Sequence, residues 1–99
     1  MSYGYIGSMR TQEGRRDDVV AILTGGADGL RAAGCRLYAV GLSATDDSLI
    51  WVTEIWESRQ HHEASLQLPE TRAAIAQAMP MLTGEFTGQE LTIVGGLGV

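Results

Sequence analysis

Lysine and asparagine are absent from this chain, and its seven cationic side chains, all arginine, stand against twelve carboxylates. The net charge is −5, and no basic cluster interrupts the sequence. That balance argues against nucleic acid and against an anionic membrane surface as partners, because both are recognised through clustered positive charge. Cysteine occurs once, as Cys35, so no internal disulfide can form. A reducing compartment follows as the expectation. Cys35 stands in an apolar run, where a buried and inert thiol is expected. No hydrophobic run approaches the ~18 residues of a membrane span. The first residues lack the charged start and apolar core of a signal peptide, so a cytoplasmic location is expected. The only two histidines, His61 and His62, are adjacent. On a helix they point about 100° apart, which suits joint metal ligation poorly, and no metal site is expected.

What remains is an ordinary globular composition, 44% hydrophobic over 99 residues. That length holds one domain. A domain so small buries a limited share of its surface, which makes a core shared between copies a live option.

The stretch from Leu49 to Pro69, LIWVTEIWESRQHHEASLQLP, concentrates the chemistry. It carries both tryptophans and both histidines. Leu49 to Glu57 reads as a strand, rich in β-branched and aromatic residues. Leu49, Trp51, Thr53 and Ile55 share one face; Ile50, Val52, Glu54 and Trp56 share the other. Neither face is simply polar, so the sheet needs a cover on both sides. Ser58 is placed to cap a short helix that bears His61 and His62.

Around this stretch the other elements fall into order. Tyr3 to Thr11 reads as a first strand. Gln12 to Gly34 reads as a helix, with Val19, Leu23, Ala27 and Leu30 on one stripe and Gly34 as its C-terminal cap. Gly25 and Gly26 invite a break, each costing about 1 kcal/mol relative to Ala. Cys35 to Ala44 is a second strand. Thr45 to Ser48 form a polar turn, which makes an antiparallel hairpin with the strand that follows. Pro69 suits the first turn of a further helix running to about Met79, with Ile75, Met79 and Leu82 directed at the core. Gly84 to Val94 is the last strand, and residues 95–99 form a glycine-rich tail. The order β, α, β, β, α in two pieces, β is the ferredoxin-like α+β pattern, an antiparallel sheet with helices on one face.

Three features resemble the antibiotic biosynthesis monooxygenase family. One is the strand ending Glu54-Ile55-Trp56-Glu57-Ser58 before a helix that carries His62. Another is Gly34-Cys35 leading to a strand with Tyr38 and a short turn into the tryptophan strand. The third is the length and element order, so the resemblance spans nearly the whole chain. His62-Glu63-Ala64-Ser65-Leu66 followed by Pro69 resembles a bacterial subgroup of that family.

The resemblance implies a homodimer in which two sheets pack face to face as a dimeric α+β barrel. It implies a pocket between each sheet and its own helices, and oxidation of phenols or quinols, often polyketide-like, by O2 without metal or flavin. Deprotonation of the hydroxyarene would precede electron transfer to O2 and collapse of a peroxide-level adduct to a quinone. His62 matches the family's helix histidine and is the expected base. Trp56, nearest the histidine helix, is the expected wall, and Tyr38, Tyr5 and Arg72 are the expected polar aids. Arg72 could hold an anionic oxygen. Glu54 is expected to pair with an arginine across the sheet or across the dimer, and His61 to face solvent. The missing asparagine is a departure, since some relatives, including the heme-degrading branch, use one in the pocket. The alternatives are a non-catalytic dimeric module that sequesters a hydrophobic metabolite, and heme binding through a histidine. The glycine-rich tail lacks the Lys-Ser/Thr ending of a phosphate loop.

Overall fold

In the computed structural model, which describes all 99 residues, four strands form one antiparallel sheet in the order β2-β3-β1-β4. β1 is Ser2–Thr11, β2 Cys35–Leu42, β3 Leu49–Trp56 and β4 Leu82–Ile93. Four α-helices, α1 (Arg16–Gly25), α2 (Ala27–Leu30), α3 (Arg59–Ser65) and α4 (Pro69–Ala78), connect them. The fold is the ferredoxin-like α+β arrangement that the alternation of periods indicates.

The helix expected over Gln12–Gly34 is divided. α1 ends at Gly25, one turn follows at Ala27–Leu30, and a 3-10 turn at Arg31–Ala33 leads to Gly34. Two successive glycines supply no side-chain contact to hold the helix across the break. Gly34 closes the segment with φ +100°, and its N–H donates to the Arg31 carbonyl. A Cβ there would lie 2.7 Å from the His61 ring, so this position accepts only glycine without a shift.

β4 starts earlier than the Gly84 expected from the sequence. Its pairing slips between Met9↔Phe86 and Thr11↔Leu82, and Gly84 takes φ +92° inside that slip. A bulge with glycine in the left-handed region lets the strand continue instead of starting there.

Register sorts the side chains. Tyr5 lies between Glu54 and Glu90, and Tyr38 lies beside Glu54 on the far side. Gly7, Val52 and Val40 form the next row, with Gly88 beside Gly7. This face receives the helices. Val19 of α1 and Ala78 of α4 bury themselves against Ile50, Val52 and Leu82. Ile75 and Met79, expected in the core, are 45% and 48% exposed; they border a cavity instead. The opposite sheet face carries Ile6, Ile55, Trp51 and Leu91 by the same register. Ile55 is buried on that face, while Trp51 and Leu91 stay 40% and 41% exposed.

Candidate active site

Three local features bring His62 to the helix-bearing face of the sheet. β3 ends in Trp56, which is 1% exposed and anchors the strand end. Ser58 turns the chain in an extended conformation and accepts a hydrogen bond from the His61 amide, capping α3. α3 then turns His62 inward, where its side chain is 12% exposed, while His61 remains outside. His61 is held at the surface by Ser58 Oγ at 2.6 Å and by Glu57 at 3.3 Å.

The His62 ring is enclosed by aromatics. It stacks on Tyr5 at 5.3 Å between centroids, tilts over Tyr3 at 5.5 Å and meets Trp56 edge-on at 5.5 Å. Its Nε2 lies 3.8 Å from Glu54 Oε1. That same oxygen accepts from Trp56 Nε1 at 3.0 Å. Within the chain Glu54 therefore has an indole and an imidazole as partners, with no arginine across the sheet. The parity that puts Glu54 and Trp56 on one face, together with the helix that follows at once, could have located it. Burial raises the Glu54 carboxyl above the ordinary carboxylate range, opposed by the Trp56 bond and by positive charge on His62.

Next to this cluster lies a cavity of about 440 Å³, with sixteen hydrophobic residues among the twenty-six that line it. Its size suits a ligand of a few fused rings. Tyr5, Tyr38, Trp56 and His62 line it together; Met79 and Phe86 belong to the same wall. Arg72 does not: it sits on the exposed side of α4, outside the lining. Burial, with the Glu54 charge beside it, pushes the Tyr38 phenol up to about 12. Tyr38 therefore keeps its proton at any working pH and can donate a hydrogen bond but not act as a base. Tyr5 lies over a glycine floor. A Cβ at Gly88 would collide with the Tyr5 hydroxyl, and one at Gly7 would press on its ring at 3.2 Å. Glycine inside a strand is expected to allow such a close approach by another group, and Gly7 in β1 does so for the Tyr5 ring. No group of three or more His, Cys, Asp or Glu side chains is gathered as a metal set.

Comparison with known proteins agrees with this architecture. The model of the family described as antibiotic biosynthesis monooxygenase matches residues 2–77. A Chloroflexus aurantiacus protein named for the same family is 41% identical, with 97% of this chain and 96% of that one covered and a TM-score of 0.87. A Mycobacterium tuberculosis protein shares the fold at 22% identity, 98% and 99% coverage and a TM-score of 0.83. One from Caulobacter crescentus does so at 20% identity, 95% and 91% coverage and a TM-score of 0.87. No curated protein matches the chain.

Proposed function

The chain belongs to the antibiotic biosynthesis monooxygenase family, and from that membership we propose a homodimeric monooxygenase that oxidises an electron-rich hydroxyarene with O2 and no metal or flavin. The observation that carries the reading is His62, aromatic-walled and carboxylate-backed, at the edge of an apolar cavity.

Such a site moves protons at low cost. A phenolic hydroxyl against the imidazole transfers its proton, and the resulting imidazolium lies between the new phenolate and Glu54. Charges then alternate in sign, so each anion is opposed by the cation between them. The phenolate passes one electron to O2, and the radical pair joins at the ring carbon para to the oxygen. The peroxide anion so formed takes the proton back from His62. The imidazole next removes the hydrogen on that carbon as a proton, the O–O bond breaks, and hydroxide leaves. Hydroxide collects the proton from His62 as water. One hydroxyarene and one O2 thus become one quinone and one water. The flat walls of Trp56 and Tyr5 orient the ring, and the Tyr38 hydroxyl supplies a donor for the developing anion.

The test is oxygen uptake with a panel of hydroquinones, naphthols and anthrone-like phenols. Turnover should fall by about 100-fold or more in His62→Ala, the scale of a lost general base, while ligand binding persists. Unchanged turnover would remove His62 from the role. Saturable binding with no oxygen consumption by any member would instead indicate a sequestering module.

A further inference from the structure

The cavity beside His62 contains no cation-bearing side chain other than that histidine. Of its twenty-six lining residues, the carboxylates are Glu54 and Glu70, and none is arginine. All seven arginines of the chain lie elsewhere. Arg10, Arg15 and Arg59 are held in ion pairs with Asp46 and Glu85, with Asp18, and with Glu63 and Glu90. Arg36 donates to Ser2, and Arg16 to the Asp46 carbonyl. Arg31 and Arg72 follow the lining residues Leu30 and Thr71 in sequence but do not line the cavity, so the charge-bearing groups inside it are His62, one carboxylate beside that base and another, exposed, in the first turn of α4.

We propose that this cavity sorts hydroxyarenes by charge: it admits neutral rings and rings bearing an ammonium group, and turns away rings bearing a carboxylate. The inference rests on the reading of the cavity as an aromatic-ligand site and adds the chemical class that enters. A carboxylate in this space loses water, gains no guanidinium and meets two like charges. At roughly 10 Å in a partly solvated site, with an effective dielectric constant of about 50, one like charge weakens binding by about threefold and the two together by about tenfold. An ammonium group is favoured by the same field. The phenolate of the reaction escapes the penalty because it is made inside. Its proton stays on His62, so the net charge of the occupied site does not change.

Three probes of one shape decide the matter in calorimetric titrations at neutral pH and low ionic strength: a hydroxynaphthamide, the corresponding hydroxynaphthoate and the corresponding aminomethyl naphthol. The amide should bind about tenfold more tightly than the carboxylate, and the ammonium at least as tightly as the amide. Glu70→Gln should narrow the gap between amide and carboxylate by about threefold, and Glu54→Gln should narrow it as well. A carboxylate that binds as well as the amide overturns the proposal. So does equal rejection of carboxylate and ammonium, because dehydration alone would then explain it. So does a gap unmoved in both variants. If none of the three probes binds, the aromatic reading of the cavity falls, and charge sorting falls with it.

Discussion

Asp46 accepts from Arg10 Nη1 at 2.7 Å and from the amide and the hydroxyl of Ser48 at 3.0 Å each. Arg10 also reaches Glu85 at 2.6 Å, so one guanidinium ties the β2–β3 turn to β1 and β4. The Arg10 bond, followed by the two from Ser48, holds the Asp46 carboxyl near 2, below its ordinary 3.8. The sign follows from linkage. Between those two values the unfolded chain binds more protons than the folded one, so stability rises with pH through that window. The contribution is full above the ordinary value and is lost as pH falls toward about 2. Denaturant midpoints measured from mildly acidic pH downward should therefore drop more steeply in the native chain than in Asp46→Asn. Parallel slopes would show that the pair adds nothing pH-dependent. Single residues also show where sequence reading stops. The turn chemistry of Asp46 and Ser48 was readable because those side chains bond to near neighbours in the chain. The arginine expected across the sheet from Glu54 is absent, and its nearest charged neighbour within the chain, His62, comes from a different element. Arg72 was given a role at the cavity on residue type alone, and it lies on the exposed side of α4, outside the cavity lining.

Among the elements, α3 matters most to the site, since seven residues are too few to be stable as a helix by themselves. Its order comes from its cap and from packing. Ser58 Oγ accepts from the His61 amide at 3.2 Å. Arg59 adds an exposed pair with Glu63 at 3.1 Å, which contributes little in water. Ser58→Ala removes the cap and should cost about 1 kcal/mol in chemical unfolding. Because His62 rides on this helix, the same variant should show faster amide exchange over Arg59–Ser65 than over β3. Equal protection in both segments would mean that packing of His62 and Ser65 holds the helix without its cap. Element existence was legible throughout: the strands from β-branched and aromatic runs, α3 from Ser58, and α4 from Pro69. The break at Gly25 and Gly26 was legible too, from the poor helix propensity of paired glycines. One boundary was not: the early start of β4 depends on the left-handed conformation of Gly84, which periodicity does not register.

For the molecule as a whole, the decisive feature is a sheet with one face under helices and the other leaving Trp51 and Leu91 half-exposed. Four strands about 4.8 Å apart, each contributing about eight residues at about 3.3 Å, give roughly 500 Å² in plan. The solvent-accessible area of such a surface is larger, within reach of the roughly 800 Å² per partner of a stable complex. Ile6, Trp51 and Leu91 supply apolar groups across it, with Ile55 already buried among them. The two-sided pattern of β3 showed that a second cover was needed, although a single sequence does not reveal what provides it. We propose that a second copy does, through a two-fold contact in which each residue of the face is presented twice. Sedimentation of the native chain at micromolar concentration should then show a dimer. Trp51→Glu places a carboxylate on that face in both copies and should weaken association by about 100-fold or more, since each charge must lose water without gaining a partner. The variant should keep its secondary structure, because Val19, Ile50, Val52, Ala78 and Leu82 pack on the other side. A native chain that sediments as a folded monomer at that concentration would refute the pairing. A variant that unfolds would instead show that Trp51 supports the single subunit, and Leu91→Glu, at the edge strand β4, would then repeat the association test.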